Sequence, residues 1–281
     1  MMKQKPMLAY PVSDKPIDYS EKVFMQPKLD GVRCLIQCDN NVIKAYSRTG
    51  KEWKNIDHIL FNLRQFFHFN PNAILDGELY NHDLKNDFEK IISLVRKQKP
   101  TDEDRSEAES LVQFHCYDIV NPTMRFEDRI QFITNNVPRN HCVNHVPTML
   151  VPTESQAKVN HARNLDSGYE GSILRTNDFY QNKRSHSLRK FKDFSDAEAT
   201  IIDFVEGKGK RKGTLGKFIM RDANGIEFGC PPGKGYNYKD LSNLLHRAKH
   251  YVGATATFTY FERTKANSYR HPLFKCIRDY E

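Results

Sequence analysis

Apolar residues along the first half of the chain fall in short runs separated by polar and turn-forming residues. Val23-Phe24-Met25, Cys34-Leu35-Ile36-Gln37-Cys38 and Val42-Ile43-Lys44-Ala45-Tyr46 read as strands. A helical spacing follows from about Asp57 to Phe67, then a strand into Ala73-Ile74-Leu75 and a helix from about Phe88 to Lys97. Leu111 to Val120 is strand-like, Arg125 to Asn135 and Ser155 to Asp166 are helical, and Gly171-Ser172-Ile173-Leu174-Arg175 is another strand. The acidic tract from Thr101 to Glu109 reads as a solvated face or loop, and His141 to His145 as a loop. After Phe194 the pattern changes. Short strands at Ala199–Val205, Phe218–Arg221, Ile226–Gly229, Ala254–Phe261 and Leu273–Ile277 surround one helix at Lys239–His250, as a small β-barrel requires. The expected class is α+β, with a boundary near Asp193 to Asp196 dividing residues 1–194 from residues 195–281.

With 281 residues and 38% hydrophobic composition, the chain has enough apolar mass for one large or two smaller cores. No run approaches 18 apolar residues and the first ten lack a signal-peptide stretch, so no membrane association and a cytoplasmic location are expected. Six scattered cysteines form no Cys-x-x-Cys pair, which favours reduced, mostly buried thiols. The net charge of +8 and pI near 9.0 favour a polyanionic partner. Residues 195–281 carry 15 Lys+Arg against 10 Asp+Glu, making this stretch the more basic.

Candidate chemistry centres on Gln26-Pro27-Lys28-Leu29-Asp30-Gly31-Val32-Arg33. Two strand-like runs around a glycine-containing turn present Lys28 at the mouth of a sheet, where neighbouring cations would disfavour its ammonium form and free its lone pair for attack. A charged hairpin loop is the plain alternative. Arg33, Lys190 and Lys192 would supply those cations and neutralise a phosphate; Lys190 and Lys192 share one face if strand-like, as would a lysine-studded sheet edge. Glu78 and Glu170 lie at the ends of predicted strands, able to hold Mg²⁺ or to form structural salt bridges. The ring of Tyr117 suits stacking on adenine or a place in the core, and Gln26 could help to read a purine edge. The segment Glu206 to Lys217, with Lys208, Lys210, Arg211 and Lys212, reads as a flexible basic hairpin suited to following phosphates.

In chain order stand Lys28-Leu29-Asp30-Gly31-Val32-Arg33, Ser47-Arg48-Thr49-Gly50, Asp76-Gly77-Glu78, Phe114-His115-Cys116-Tyr117-Asp118, Glu170-Gly171-Ser172-Ile173-Leu174-Arg175, Lys190-Phe191-Lys192 and Arg278-Asp279. This series resembles the successive motifs of the covalent nucleotidyltransferases, and closely those of minimal ATP-dependent DNA ligases. The resemblance covers nearly the whole chain. It implies an ATP-grasp-like nucleotidyltransferase domain followed by an OB-fold barrel, ATP with Mg²⁺ or Mn²⁺, nicked duplex DNA as partner, and a monomer. Carried over residue by residue, Lys28 would form lysyl-AMP, with Lys190 and Lys192 at the nucleotide. Glu78 would contact ribose and later metal, and Glu170 would organise the metal. Arg48 would hold the 5′-phosphate of the nick, Arg184 would add a phosphate contact, and Arg278 and Asp279 would belong to the last motif. There Tyr280-Glu281 replaces the expected lysine, which puts one contact of the first step in doubt. An mRNA-capping guanylyltransferase, an RNA ligase and a non-catalytic OB-type nucleic-acid binder are the alternatives. Glu170-Gly171 followed by Arg175 resembles ligases rather than the capping pattern.

Overall fold

The computed structural model describes residues 2, 4–85, 87–192, 195–233, 235–264 and 266–278, without the side chains of Phe88 and Glu262. It divides into two compact units, Met1–Lys192 and Asp193–Glu281. The first contains two five-stranded sheets. One has the order Leu8–Pro11, Arg184–Phe191, Gly171–Thr176, Val23–Lys28, Met149–Leu150, antiparallel except for its parallel first pair. The other has the order Val42–Tyr46, Val32–Asp39, Ile74–Tyr80, Gln113–Ile119, Val143–His145, with only its last pair parallel. Val23-Phe24-Met25 are all buried because both faces of their strand are covered: Val23 and Met25 pack with Val151, Ala157 and Leu174, and Phe24 meets Phe126 with ring centroids 5.4 Å apart. The largest core packs Cys34, Ile36, Leu75, Leu79 and Phe114 of the second sheet against Ile59, Leu63, Phe66, Phe67, Ile91 and Leu94. Those last six come from helices Asp57–Asn62, Arg64–Phe69 and Phe88–Val95 and from the junction at Leu63.

Two segments differ from the expectation. The acidic tract is a helix, Asp102–Leu111, with a solvated face and Ala108 buried. Thr101 and Asp104 close a capping box, Thr101 Oγ1 accepting from the Asp104 N–H at 3.2 Å and Asp104 Oδ2 from the Thr101 N–H at 3.0 Å. Its carboxylates crowd the helix N-terminus, where the partial positive charge favours them. His141 to His145 is not wholly loop, since Val143–His145 adds a parallel edge strand beside Phe114 to Cys116.

In the second unit an antiparallel sheet runs in the order Glu227–Cys230, Leu215–Arg221, Ser195–Glu206, Thr255–Tyr260, Leu273–Ile277. The helix Tyr238–Tyr251 contributes Ala248, Leu244 and Leu245 to a core with Phe218, Phe258 and Phe274. The expected barrel is a sheet with an incomplete seam: among the described residues its edges are joined at the bridge between Pro232, just beyond the Glu227–Cys230 strand, and Phe274. A ribbon of Glu262–Arg263 and Tyr269–Arg270, unanticipated from the periodicity, accompanies it.

Candidate active site

Lys28 ends the Val23–Lys28 strand, and Leu29-Asp30-Gly31 carries the chain across to Val32–Asp39 in the other sheet. Gly31 is required there by close approach, since a Cβ would lie 2.4 Å from the Leu79 carbonyl oxygen and 2.7 Å from Glu78 Cγ. Lys28 pairs across the ladder with Gly171, and its carbonyl accepts the Glu170 N–H at 3.1 Å. Gly171, at φ +149°, comes so near Phe191 that a Cβ would stand 2.4 Å from that carbonyl oxygen. The crossing draws the Glu170 carboxylate into ion pairs with both Lys28 and Lys192. The cations expected near Lys28, Arg33, Lys190 and Lys192, line the same cavity, and an immediate partner of Lys28 is the Glu170 carboxylate, which the sequence did not indicate.

The second sheet supplies the facing wall. Arg33 lies opposite Glu78 in the ladder, and Asp76 shares a sheet face with Glu78 at i, i+2. Arg33 makes a fork with Asp76, Nε to Oδ1 and Nη2 to Oδ2 both at 2.5 Å, and donates to the Met7 carbonyl at 3.1 Å. Burial opposes the Arg33 cation most strongly, but Asp76, Tyr117 and Tyr180 together outweigh it and hold the guanidinium well above its ordinary pKa. The Arg33 fork is thereby spent on the protein itself. Desolvation pushes Glu78 from 4.5 up to about 7, against the opposing pull of Arg33, Lys28 and a 3.2 Å hydrogen bond from Tyr117 Oη. Burial also raises Tyr117 well above the usual tyrosine value, so its hydroxyl stays protonated and donates.

Between the walls is a cavity of about 320 Å³ lined by Gln26, Lys28, Arg33, Arg48, Glu78, Tyr117, Arg184, Lys190 and Lys192. Leu8 and Ala9 of the first strand, and Arg175, line it as well. Gln26 is engaged by protein: its amide donates to the Tyr117 carbonyl (3.2 Å) and Thr148 Oγ1 (2.9 Å), and its oxygen accepts from Arg175 Nε (2.8 Å). Arg175 also donates a single bond to Asp118 at 2.6 Å, and Asp118 receives a fork from Arg129, Nε at 2.6 Å and Nη2 at 3.2 Å. Tyr180 donates to Asp76 at 2.7 Å and accepts the Met7 N–H at 2.8 Å, anchoring the N-terminal strand beside the cavity. Sequence reasoning missed this buried framework. Asp76, Asp118 and Arg175 stood within recognisable motifs, whereas Arg129 and Tyr180 carried no local signal.

The remaining candidates belong to the second unit. Lys208, Lys210, Arg211 and Lys212 are exposed on the hairpin between Ser195–Glu206 and Leu215–Arg221. Arg278 Nε donates to Thr257 Oγ1 at 2.8 Å and pairs with Glu198 Oε1 at 2.8 Å. Asp279, Tyr280 and Glu281 lie outside the described residues.

The ATP dependent DNA ligase domain family matches residues 6–192, and the DNA ligase OB-like domain matches residues 206–278. The DNA ligase of African swine fever virus is 29% identical over 275 residues, which is 89% of this chain and 64% of that protein. The DNA ligase of Enterobacteria phage T4 is 23% identical over 307 residues, 89% of this chain and 62% of the viral protein. The chain therefore spans less than two thirds of the length of these relatives. A structure from a study of Lig E DNA ligases, described as binding DNA with a minimal scaffold, superposes with a TM-score of 0.80 at 25% identity, covering 99% of this chain and 100% of that one. The bacteriophage T7 ATP-dependent DNA ligase in complex with ATP shares the fold at a TM-score of 0.55 and 18% identity, over 98% of both chains. Because the catalytic-domain match alone extends over residues 6–192 of 281, the chain belongs to the ATP-dependent DNA ligase family.

Proposed function

We propose that the protein is an ATP-dependent DNA ligase that seals nicks between a 3′-hydroxyl and a 5′-phosphate through a lysyl-AMP intermediate at Lys28. The observation that carries this reading is the convergence of Lys28, Glu78, Lys190 and Lys192 on one cavity, with Glu170 bonded to both Lys28 and Lys192. In the first step the Lys28 lone pair attacks the α-phosphorus of ATP, a nitrogen–phosphorus bond forms and pyrophosphate departs. Glu170 is shared between two lysines, so shifting its contact wholly to Lys192 would release Lys28 for attack. Lys190 and Lys192 then oppose the negative charge on the phosphate oxygens. AMP passes to the 5′-phosphate held by Arg48 and Arg184 at the cavity rim, and the 3′-hydroxyl displaces it. Tyr117 offers a ring for adenine, with its hydroxyl tied to Glu78.

Glu78 and Glu170 are the groups that would hold Mg²⁺ or Mn²⁺. Glu78 suits this role as a desolvated hard-oxygen donor whose raised pKa a cation would bring down. Among the described residues no group of three or more His, Cys, Asp or Glu side chains forms a metal cage, which fits an ion taking one or two carboxylates and completing its shell with phosphate and water. When bound, the ion shields the triphosphate and stabilises charge in phosphoryl transfer.

The test is incubation with ATP labelled at the α-phosphate, followed by denaturing electrophoresis and nick-sealing assays on DNA and RNA strands. Label on the wild type, its loss in Lys28→Ala, and sealing of DNA nicks are expected. Label on a different residue would overturn the assignment of Lys28. Stronger labelling by GTP would favour a capping enzyme, and sealing confined to RNA an RNA ligase.

A further inference from the structure

The basic hairpin of the second unit is braced rather than flexible. Its tip forms a short 3₁₀ turn at Gly209–Arg211, in which the Lys208 and Gly209 carbonyls accept the Arg211 and Lys212 N–H groups at 3.2 and 3.1 Å. Glu206 Oε1 accepts the Gly213 N–H at 2.7 Å, and buried Thr214 donates its hydroxyl to the Arg211 carbonyl at 2.6 Å. From outside the hairpin, Tyr238 Oη donates to the Lys212 carbonyl at 2.9 Å. Gly213 supplies the φ of +81° that the turn requires there, in a position adjoining the Tyr238 hydroxyl. Tyr238 is itself held firmly, as the first residue of a helix capped by the reciprocal Asn237–Asp240 bonds of 3.0 and 2.9 Å.

The phenol hydroxyl is thus engaged while the residue stays 60% exposed. A single exposed aromatic is ordinary in itself. This one is fixed beside four exposed cations, Lys208, Lys210, Arg211 and Lys212, none of them ion-paired among the described residues. A polyanion drawn to those cations presents phosphates at intervals, and between the phosphates come sugars and base edges with apolar surface to lose. An immobilised ring covers such surface at little entropic cost.

We infer that Tyr238 is a nucleic-acid contact residue, its hydroxyl tethering the ring beside the cation-bearing hairpin and its ring packing on a sugar or base of the strand those cations engage. The inference rests on the ligase reading, which assigns the hairpin to DNA. The experiment is anisotropy titration of the full chain, without ATP, against a labelled nicked duplex with a 3′-dideoxy end at the nick, across a salt series. Thermal melting checks that each variant is folded. Tyr238→Ala should weaken binding about tenfold, the scale of an aromatic–nucleotide contact, while keeping the slope of log affinity against log salt. Tyr238→Phe keeps the ring and should lose only about twofold, for one hydrogen bond. Replacing Lys208, Lys210, Arg211 and Lys212 together by Ala should instead flatten the slope by about 0.9 for each phosphate that a cation no longer neutralises. Wild-type affinity in Tyr238→Ala beside an intact quadruple effect overturns the ring contact alone. A slope flattened as much by Tyr238→Ala as by the quadruple change reduces Tyr238 to a brace and also overturns it. A quadruple variant with an unchanged slope removes the hairpin from the DNA, and the inference with it.

Discussion

Glu78 is kept partly out of water with its carboxyl pushed to about 7, and that has a price in stability which can be measured. The folded protein holds this proton up to about neutrality, whereas the unfolded chain releases it near its ordinary value of 4.5. Between those values the folded state binds more protons, so the contribution of Glu78 is fully present at low pH and is lost as pH rises through about 7. Integrated from about pH 5 to about pH 8, the loss is about 2.5 kcal/mol. Glu78→Gln keeps the size and polarity of the group but cannot ionise. Relative to wild type it should therefore gain about 2.5 kcal/mol between the two pH values, corresponding to about 5–10 °C in the melting temperature of a unit this size. Urea unfolding of both proteins at the two pH values and fixed ionic strength measures the difference, and groups common to the two proteins cancel. The same substitution should abolish nick sealing, so loss of activity together with loss of the pH-dependent destabilisation is expected. A stability difference between variant and wild type that does not change with pH would mean the carboxyl ionises normally in the fold, refuting the desolvation argument.

Two further outcomes test the framework and the division of catalytic labour. Arg129 is 1% exposed and donates to Asp118, to the Met124 carbonyl at 2.8 Å and to the Asp178 carbonyl at 2.9 Å, so Arg129→Ala leaves a buried carboxylate undercompensated and should cost about 3–5 kcal/mol in urea unfolding; a loss below about 1 kcal/mol would show the network to be dispensable. If Arg278 orients the departing pyrophosphate, as the resemblance of its motif to the ligases implies, Arg278→Ala should lose most self-adenylylation yet seal a nick whose 5′-phosphate already carries AMP, because such a ligand has nothing to hold once pyrophosphate has left, whereas Glu170→Ala should fail in both. Single-turnover sealing of pre-adenylylated nicked DNA separates them, and equal defects would refute the distinction.

The residues worth suspecting were visible in the amino-acid order itself. Lys28, Glu78, Lys190 and Lys192 stand in short motifs whose residue types announce phosphate chemistry, and they line one cavity. Most strands and helices were legible too, because periodicity is a local property of the chain. Partnership is not local. That Glu170 bonds Lys28, that the Arg33 fork is consumed by Asp76, and that Gln26 is tied to Arg175 follow from ladder register between strands up to 149 residues apart in the chain. Arg129 and Tyr180 lie in segments with no motif and become structural keystones only because two buried aspartates, Asp76 and Asp118, need donors that water cannot provide. For the tract from Thr101 to Glu109, net charge leaves a solvated face and a loop both open, and a two-residue capping box with one buried alanine decides for a helix with a solvated face. Similarly, glycine and lysine content suggested a mobile hairpin from Glu206 to Lys217, but a carboxylate, a buried threonine and a tyrosine from a distant helix satisfy its backbone groups. Sequence alone determined which side chains could do the chemistry; tertiary structure decided which are free to do it, because the distances that pair charges and satisfy buried polar groups exist only once the sheets have closed on one another.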